Sequence, residues 1–224
     1  MLVVAARSVG AAPAGFRVAF DAPLEDLGLG ARSRLERDGE RWWLDGRPIA
    51  AVPGVIEEPA RWEPLPRVAP RGALAARLEA LLPDLPLDPE WQHLFRTAVA
   101  LGRCSPLAPL TAVLARTLLG RGPGSTPIGD DFLVGWLAGL ARQRRAAPPA
   151  QRMLGERLAE TCRLSRHFLH HALSGRFHEA FVRLAGLAAP PELDHPWARA
   201  LCAQGDRSGR AALAGFLTGL HQGA

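Results

Sequence analysis

Apolar and polar positions change rhythm once along the chain. Up to about residue 66 the spacing favours strands: "GFRVAF" alternates around Phe16, Val18 and Phe20, and the opening "MLVVAARSVG" reads as a first strand. Within "SRLERDGERWWLDGRPIAAV" lie two Asp-Gly pairs, Asp38-Gly39 and Asp45-Gly46. Asp-Gly suits the positive backbone angles of a two-residue turn, so the first pair predicts a tight hairpin with Trp42, Trp43 and Leu44 on its second arm. Strand side chains alternate, so one tryptophan is expected to pack inward and the other to face out. The segment "EEPARWEPLPRVAPRG", with four prolines, marks a boundary.

From about residue 70 the period becomes helical. "RGALAARLEALL" places Leu74, Leu78, Leu81 and Leu82 on one face. "DPEWQHLFRTAVALG" opens with Asp88 as N-cap and Pro89 at the first helical position. "LAPLTAVLARTLLG" runs into a loop, and "DDFLVGWLAGLARQRR" leaves it, ending in arginines that suit the negative end of a helix dipole. "APPAQRMLGERLAETCRLSRHFLHHALSG" reads as one long helix ending near Gly175. Two further helices follow "SGRF" and "LDHPW", and "SGRAALAGFLTGLHQ" closes the chain. The expected class is α+β: a small β-rich domain over residues 1–66, then a mainly helical domain over 67–224.

The loop "GRGPGSTPIGDD" sets four glycines, two prolines and adjacent acids before an apolar helix. A Gly-rich loop feeding a helix N-terminus offers backbone N–H groups and a positive dipole end, which suit phosphate or carboxylate. Asp130 and Asp131, however, set two negative charges against roughly half a positive one. Three resolutions stand open. Asp130 is an N-cap and Asp131 a first-turn acid, each worth about 1 kcal/mol or less; or Mg²⁺ bridges the acids to a phosphate; or a neighbouring arginine neutralises them. A cap needs one acid, so capping alone leaves the pair half explained.

"GDDFLVGWLAGL" (129–140) and "GRAALAGFLTGL" (209–220) echo one another, with Gly129, Gly135 and Gly139 aligned to Gly209, Gly215 and Gly219 and Trp136 to Phe216. Glycines four apart share one helix face and admit a second backbone closely. Either these are related loop–helix units packed through their glycine faces, with both N-termini converging on one pocket, or they are ordinary core helices with a shared small-residue habit. Asp131 lies on the Gly135 face. If that face is packed, Asp131 needs a partner, and Arg207, Ser208 and Arg210 are the candidates.

Composition narrows the chemistry. All 27 basic residues are arginine, and asparagine and tyrosine are absent, as a GC-rich coding sequence gives; the pI near 10.6 partly reflects arginine in place of lysine. A net charge of +5 with no basic run interleaved with aromatics argues against nucleic acid as a partner. Without lysine there is neither a Walker A lysine nor a lysine Schiff base. No apolar run reaches the roughly 20 residues of a membrane span, so no membrane partner is expected. Cys104, Cys162 and Cys202 are too few and too scattered for a disulfide framework or zinc ribbon, and a reducing cytoplasm is the expectation. His167, His170 and His171 approach metal-ligand spacing but lack the Glu of an HExxH helix, and surface or half-buried histidines are expected. Cys162 is expected as a small buried residue within its helix. Ser208-Gly209 lacks the context of a nucleophile elbow and fits an N-cap. Ser165 either lines a pocket or bonds back to its own helix.

The run "GRGPGSTPIGDDFLVG" resembles the G-x-G-x-x-TP-x-GDD-F-L-x-G signature of the AllH-type family, whose members include a subunit of oxamate carbamoyltransferase. "TCRLSRHFLHHALSGRF" and "GDRSGRAALAGFLTGL" are similar to that family's Thr/Ser helix and C-terminal Ser-Gly segment. The resemblance implies a carbamoyltransferase subunit acting with other subunits on small anions such as carbamoyl phosphate and oxamate, in purine/allantoin nitrogen catabolism. Catalytic roles then fall to Asp130 and Asp131, and substrate binding to Arg121, Gly122, Gly124, Ser125, Thr126, Gly129, Ser165, Arg207, Ser208 and Gly209. No residue is assigned to a metal, Mg²⁺ is the one cofactor considered, and a homo-oligomer is compatible. The chain departs from the family pattern at Ser125, Ile128 and Ala211, the last two removing a hydroxyl and a carboxylate. The alternative is therefore a non-catalytic ligand-binding or scaffold subunit that keeps the loop.

Overall fold

The computed structural model describes residues 3–5, 15–18, 34–39, 41–48, 55–59, 87–104, 107–142, 148–186 and 195–221. The chain divides into two compact units, Met1–Arg61 and Trp62–Ala224, and the described residues are mostly helical.

The first unit holds two three-stranded sheets. In one, β1 (Val3–Ala5) pairs in parallel with β2 (Gly15–Val18), and β2 pairs antiparallel with β6 (Val55–Pro59) through a register shift between Phe16 and Arg17. The other is a pair of successive hairpins through β3 (Leu35–Asp38), β4 (Arg41–Leu44) and β5 (Arg47–Pro48). The expected first hairpin is present, with Asp38 opposite Arg41. The second Asp-Gly pair makes one too: Asp45 and Gly46 take φ of 48° and 75°, the double positive angle of a type I′ turn. The Asp45 carboxylate also accepts the Arg34 N–H at 2.7 Å, while the Asp45 N–H donates to the Arg34 carbonyl at 2.8 Å. Trp43 is half-buried; the Trp42 side chain lies outside the described residues, as does the helix expected over 71–82.

The second unit shows eight helices among its described residues. They are α1 (Pro89–Cys104), α2 (Leu107–Leu118), α3 (Ile128–Arg142), α4 (Pro148–Arg157), α5 (Arg163–Leu173), α6 (Glu179–Ala185), α7 (Pro196–Cys202) and α8 (Ser208–His221). Pro89 opens α1 as expected, with the Gln92 N–H bonded to the Asp88 carbonyl at 2.9 Å. The single long helix expected through Gly175 is not formed. A short 3₁₀ turn at Leu158–Glu160 and an extended Thr161 (φ −119°, ψ 171°) break it, and Cys162 caps α5 by accepting the Ser165 N–H on its sulfur. The apolar rhythm runs on across the break, so periodicity could not reveal it.

Helices α3 and α8 form the centre. Phe132, Leu133, Trp136, Leu140, Leu213, Phe216 and Leu217 are buried, so both helices are apolar nearly all round, as helices enclosed by others are. Their glycine faces meet. A Cβ added at Gly135 would come 2.7 Å from the carbonyl carbon of Ala212 and 2.9 Å from the Phe216 nitrogen. One added at Gly215 would come 2.8 Å from the carbonyl carbon of Phe132 and 2.9 Å from the Trp136 nitrogen. Gly139 and Gly219 face each other's α-carbons at 2.9 and 3.0 Å. The contacts are images of one another under the sequence echo, and partner numbers rise together along both helices. The two helices therefore run parallel, and both N-termini lie at one end.

Candidate functional site

At that end the loop after α2 wraps an acid. Gly120, Gly122 and Gly124 all take positive φ. At Gly120 the angle of 68° and close packing coincide, because a Cβ there would stand 2.6 Å from the Glu160 carbonyl oxygen. The turn aims the Gly120 N–H inward, at 2.7 Å from Asp130 Oδ1. The first-turn amides of α3 are turned to the loop itself: the Gly129 N–H donates to the Arg121 carbonyl at 3.0 Å, and those of Asp130 and Asp131 to the Pro127 carbonyl at 2.9 and 3.3 Å. Glycine here serves to fold the loop onto a carboxylate rather than to present a row of amides to a phosphate.

Asp130 is not the helix cap that its position before an apolar run suggested. The helix begins at Ile128, which places Asp130 inside the first turn. Its carboxylate has no exposed surface and accepts from Gly120 N–H and the Thr161 hydroxyl, with the Ser165 hydroxyl a further donor. Burial raises its pKa above the ordinary carboxylate range, and those three donors oppose the rise. Thr161 reaches Asp130 because the chain is extended there, so the break between α4 and α5 supplies a donor to the buried acid. Residue-by-residue reading did not single out Thr161. The signal available was Thr-Cys preceding Arg-Leu-Ser, a cap pattern lying inside a seemingly continuous amphipathic run.

Asp131 is half-buried. The Thr126 hydroxyl donates to its Oδ2 at 3.0 Å, and Thr126 Oγ in turn lies 3.1 Å from Ser208 Oγ. Burial pushes the Asp131 carboxyl up to about 7; the Ser208 and Thr126 hydroxyls pull it down, and the neighbouring Asp130 charge raises it. Of the three partners expected for Asp131, Ser208 is the one joined to it, through the Thr126 hydroxyl. Arg207 pairs instead with Asp88 at 3.2 Å and Asp206 at 3.4 Å, and Arg210 donates to the Asp206 carbonyl at 2.9 Å.

The candidate residues thus separate into groups. Thr126, Asp130, Asp131, Ser165 and Ser208 come together, joined by Thr161. Gly129 and Gly209 are buried packing positions, and the Gly209 N–H donates to the Gln204 carbonyl at 2.9 Å. Arg121, Gly122, Gly124 and Ser125 form the exposed rim of the loop, where the Ser125 carbonyl accepts the Cys162 thiol at 3.5 Å. Cys162 is a half-buried cap between helices and not a residue within one, which corrects its expected place. Ile128 and Ala211 are buried in the core. The His167 and His171 rings stand 4.5 Å apart, yet among the described residues no three His, Cys, Asp or Glu side chains are placed to hold a metal ion. Likewise among the described residues, no helix is long and apolar enough to cross a membrane.

Residues 118–220 match the model of the family described as oxamate carbamoyltransferase subunit AllH, the family that the loop motif resembles. The matched span takes in the loop, the Thr161–Ser165 segment and both glycine-faced helices. No curated protein and no solved structure gives a match.

Proposed function

We propose that the chain is a subunit of a carbamoyltransferase-type enzyme whose hydroxyl-lined acid pair receives a small anionic substrate such as oxamate or carbamoyl phosphate, in purine/allantoin nitrogen catabolism. In this reading the helical domain, 67–224, carries the site, and other subunits complete the enzyme, in keeping with the subunit that the family description names. The observation that carries the reading is Asp131, bonded by the Thr126 hydroxyl, which meets Ser208 of the other loop–helix segment, with burial pushing its carboxyl up to about 7. A group that titrates there can both give and take a proton at working pH. Carbamoyl transfer to a nitrogen forms a C–N bond, breaks the C–O bond to phosphate and frees one proton from the attacking nitrogen. The Asp131 O–H can pass to the leaving phosphate oxygen, and the carboxylate left behind can take the nitrogen's proton, so the residue ends as it began. Asp130, buried and held by donors, sets the local charge. Arg121, on the exposed rim of the loop, and Arg207, which also pairs with Asp88 and Asp206, are arginines that can hold the anion.

A second reading keeps the binding and drops the chemistry. It is favoured by Ile128 and Ala211, whose buried apolar side chains leave no hydroxyl or carboxylate at these two positions. Isothermal titration of oxamate and carbamoyl phosphate, with and without Mg²⁺, into the assembled complex tests the common core. Wild type is expected to bind, and Asp131→Ala to lose at least about tenfold, on the order of 1.4 kcal/mol. Equal binding by both proteins, or binding by neither, contradicts the proposal, and binding without turnover favours the second reading.

A further inference from the structure

We propose that Arg166, in the first turn of α5, is a positioning residue for the acid site: its guanidinium clamps the carbonyls of the 158–161 break and so holds Thr161 where its hydroxyl meets Asp130. The proposal rests on the reading of Asp130 and Asp131 as a site for small anions.

Three contacts carry it. Arg166 Nε donates to the Leu158 carbonyl at 3.0 Å, and Nη2 donates to the Ala159 carbonyl at 3.4 Å and the Thr161 carbonyl at 3.3 Å. A helix that stops leaves its last carbonyls without amides of its own, and a cation near them is favourable. A cation in the first turn of a helix, by contrast, stands at the wrong end of the dipole, so Arg166 gains nothing from α5 itself. Its place is accounted for by the carbonyls of the turn before. Thr161 is thereby fixed on two sides: its carbonyl accepts from Arg166, and its hydroxyl donates to Asp130 Oδ2. The same turn closes on the loop, because the Glu160 carbonyl oxygen lies against Gly120, whose N–H donates to Asp130 Oδ1 at 2.7 Å. Both donors to the buried acid therefore lean on the segment that Arg166 holds. A planar fork of N–H groups can span several carbonyls at once, as the point charge of a lysine cannot.

The clamp bears on the ionisation of Asp130. Burial raises that carboxyl, and the donors, Thr161 among them, lower it. Loss of the Thr161 hydroxyl from its place leaves burial less opposed. The charged and titratable groups on the elements that meet here are Asp131 on the same helix, Arg121 in the loop, Arg157 and Glu160 before the break, Cys162 at it, Arg163 and His167 on α5, and Asp206, Arg207 and Arg210 around the start of α8. Glu160 is paired with Arg157 at 2.6 Å, and Arg207 with Asp88 and Asp206. Arg166 is exposed, so replacing it leaves the core intact.

The test is carboxyl-carbon NMR on the ligand-free full chain, labelled at aspartate, with the Asp130 signal identified by its loss in Asp130→Asn. Arg166→Gln is expected to move the midpoint of that signal upward, because the ionised form loses a donor. In a Thr161→Val background the same substitution is expected to move it no further. Three-bond couplings to the Thr161 γ-methyl group give a second readout that does not need the valine variant to fold. They should report one side-chain rotamer in wild type and an average over rotamers in Arg166→Gln. Arg166→Lys keeps the charge without the fork and should fall short of wild type. An unchanged midpoint with unchanged couplings in Arg166→Gln overturns the inference, and so does full rescue by lysine, which would make the effect one of charge alone. The pH profile of oxamate binding by the assembled complex should move upward with the carboxyl signal. Binding with the same profile in wild type and Arg166→Gln overturns the part of the clamp in the site. A carboxyl shift without any oxamate binding supports the clamp and overturns the function proposed above.

Discussion

At the seam of the helical unit, Gly135 faces Ala212 and Phe216, while its counterpart Gly215 faces Phe132 and Trp136. At the helix starts the correspondence fails: Asp130 and Asp131 stand where the segment opening α8 has Arg210 and Ala211, and Ser208 stands where the segment opening α3 has Ile128. The backbone plan is repeated and the chemistry is not. Close packing of two parallel helices needs the same small residues on both, because each main chain fills the space a Cβ would occupy on the other. A site between their N-termini needs no such equality. One segment brings the acids and the threonine that bonds Asp131, and the other brings the serine that meets that threonine.

The largest effect should come from breaking the shared part. Gly135→Val places branched carbon against the Ala212 main chain, which cannot give way as a side chain could. A loss of about 3 kcal/mol or more, or failure to fold, is expected in urea unfolding. Gly215→Val should match it, and a marked inequality between the two would mean that the seam is less symmetric than described.

Next comes the pH dependence of the unshared part. The carboxyl of Asp131 rises from 3.8 unfolded to about 7 folded. A group raised in this way stabilises fully below its unfolded value, and that contribution is lost as pH climbs through the folded value. Asp130, raised as well, acts in the same direction. His171 and His178, both lowered to about 4 by burial, act oppositely, giving stability that disappears as pH falls from 6.5 toward 4. Comparison with Asp131→Asn cancels the histidines. Relative to that variant, wild type should weaken by a few kcal/mol between about pH 4 and about pH 8, and a constant difference across this window would refute the raised carboxyl.

Thr161→Val removes a donor from the fully buried Asp130 and should cost about 1–3 kcal/mol in the same unfolding assay, with Thr161→Ser close to wild type. Equal stability of the valine variant would mean that the break before α5 has no part in holding the acid. The smallest change is a contrast to the seam. Gly155 lies in α4 with space around it, the nearest atom to an added Cβ being Leu173 Cδ1 at 4.0 Å, so Gly155→Ala should stabilise by about 0.5–1 kcal/mol.

Much of this was legible in the residues, and the failures have identifiable causes. Glycine spacing repeated in order disclosed the seam, because close approach leaves a mark at every turn of both helices. The first Asp-Gly pair disclosed its hairpin, and the second, read as a turn, makes another. The helix break at residues 158–162 stayed hidden because Leu158 and Leu164 continue the apolar period while the backbone leaves it. Asp130 read as a cap because the acid pair precedes the longest apolar run; Ile128 had already begun the helix, with loop carbonyls accepting the first amides. Arg207 and Arg210 were reasonable partners by charge, but the fold gives Arg207 to Asp88 and Asp206 and leaves the acid to hydroxyls. Charge can be counted along a chain, whereas the hydrogen-bond partner of a buried acid depends on where the loop turns.

The account depends most on the link that Thr126 makes between Asp131 and Ser208, from the start of α3 to the start of α8, and a double-mutant cycle measures it. Urea unfolding of wild type, Asp131→Ala, Ser208→Ala and the double variant should give a coupling energy of about 0.5–3 kcal/mol. Additivity within about 0.3–0.5 kcal/mol would show that the two residues do not interact and would contradict the site described here.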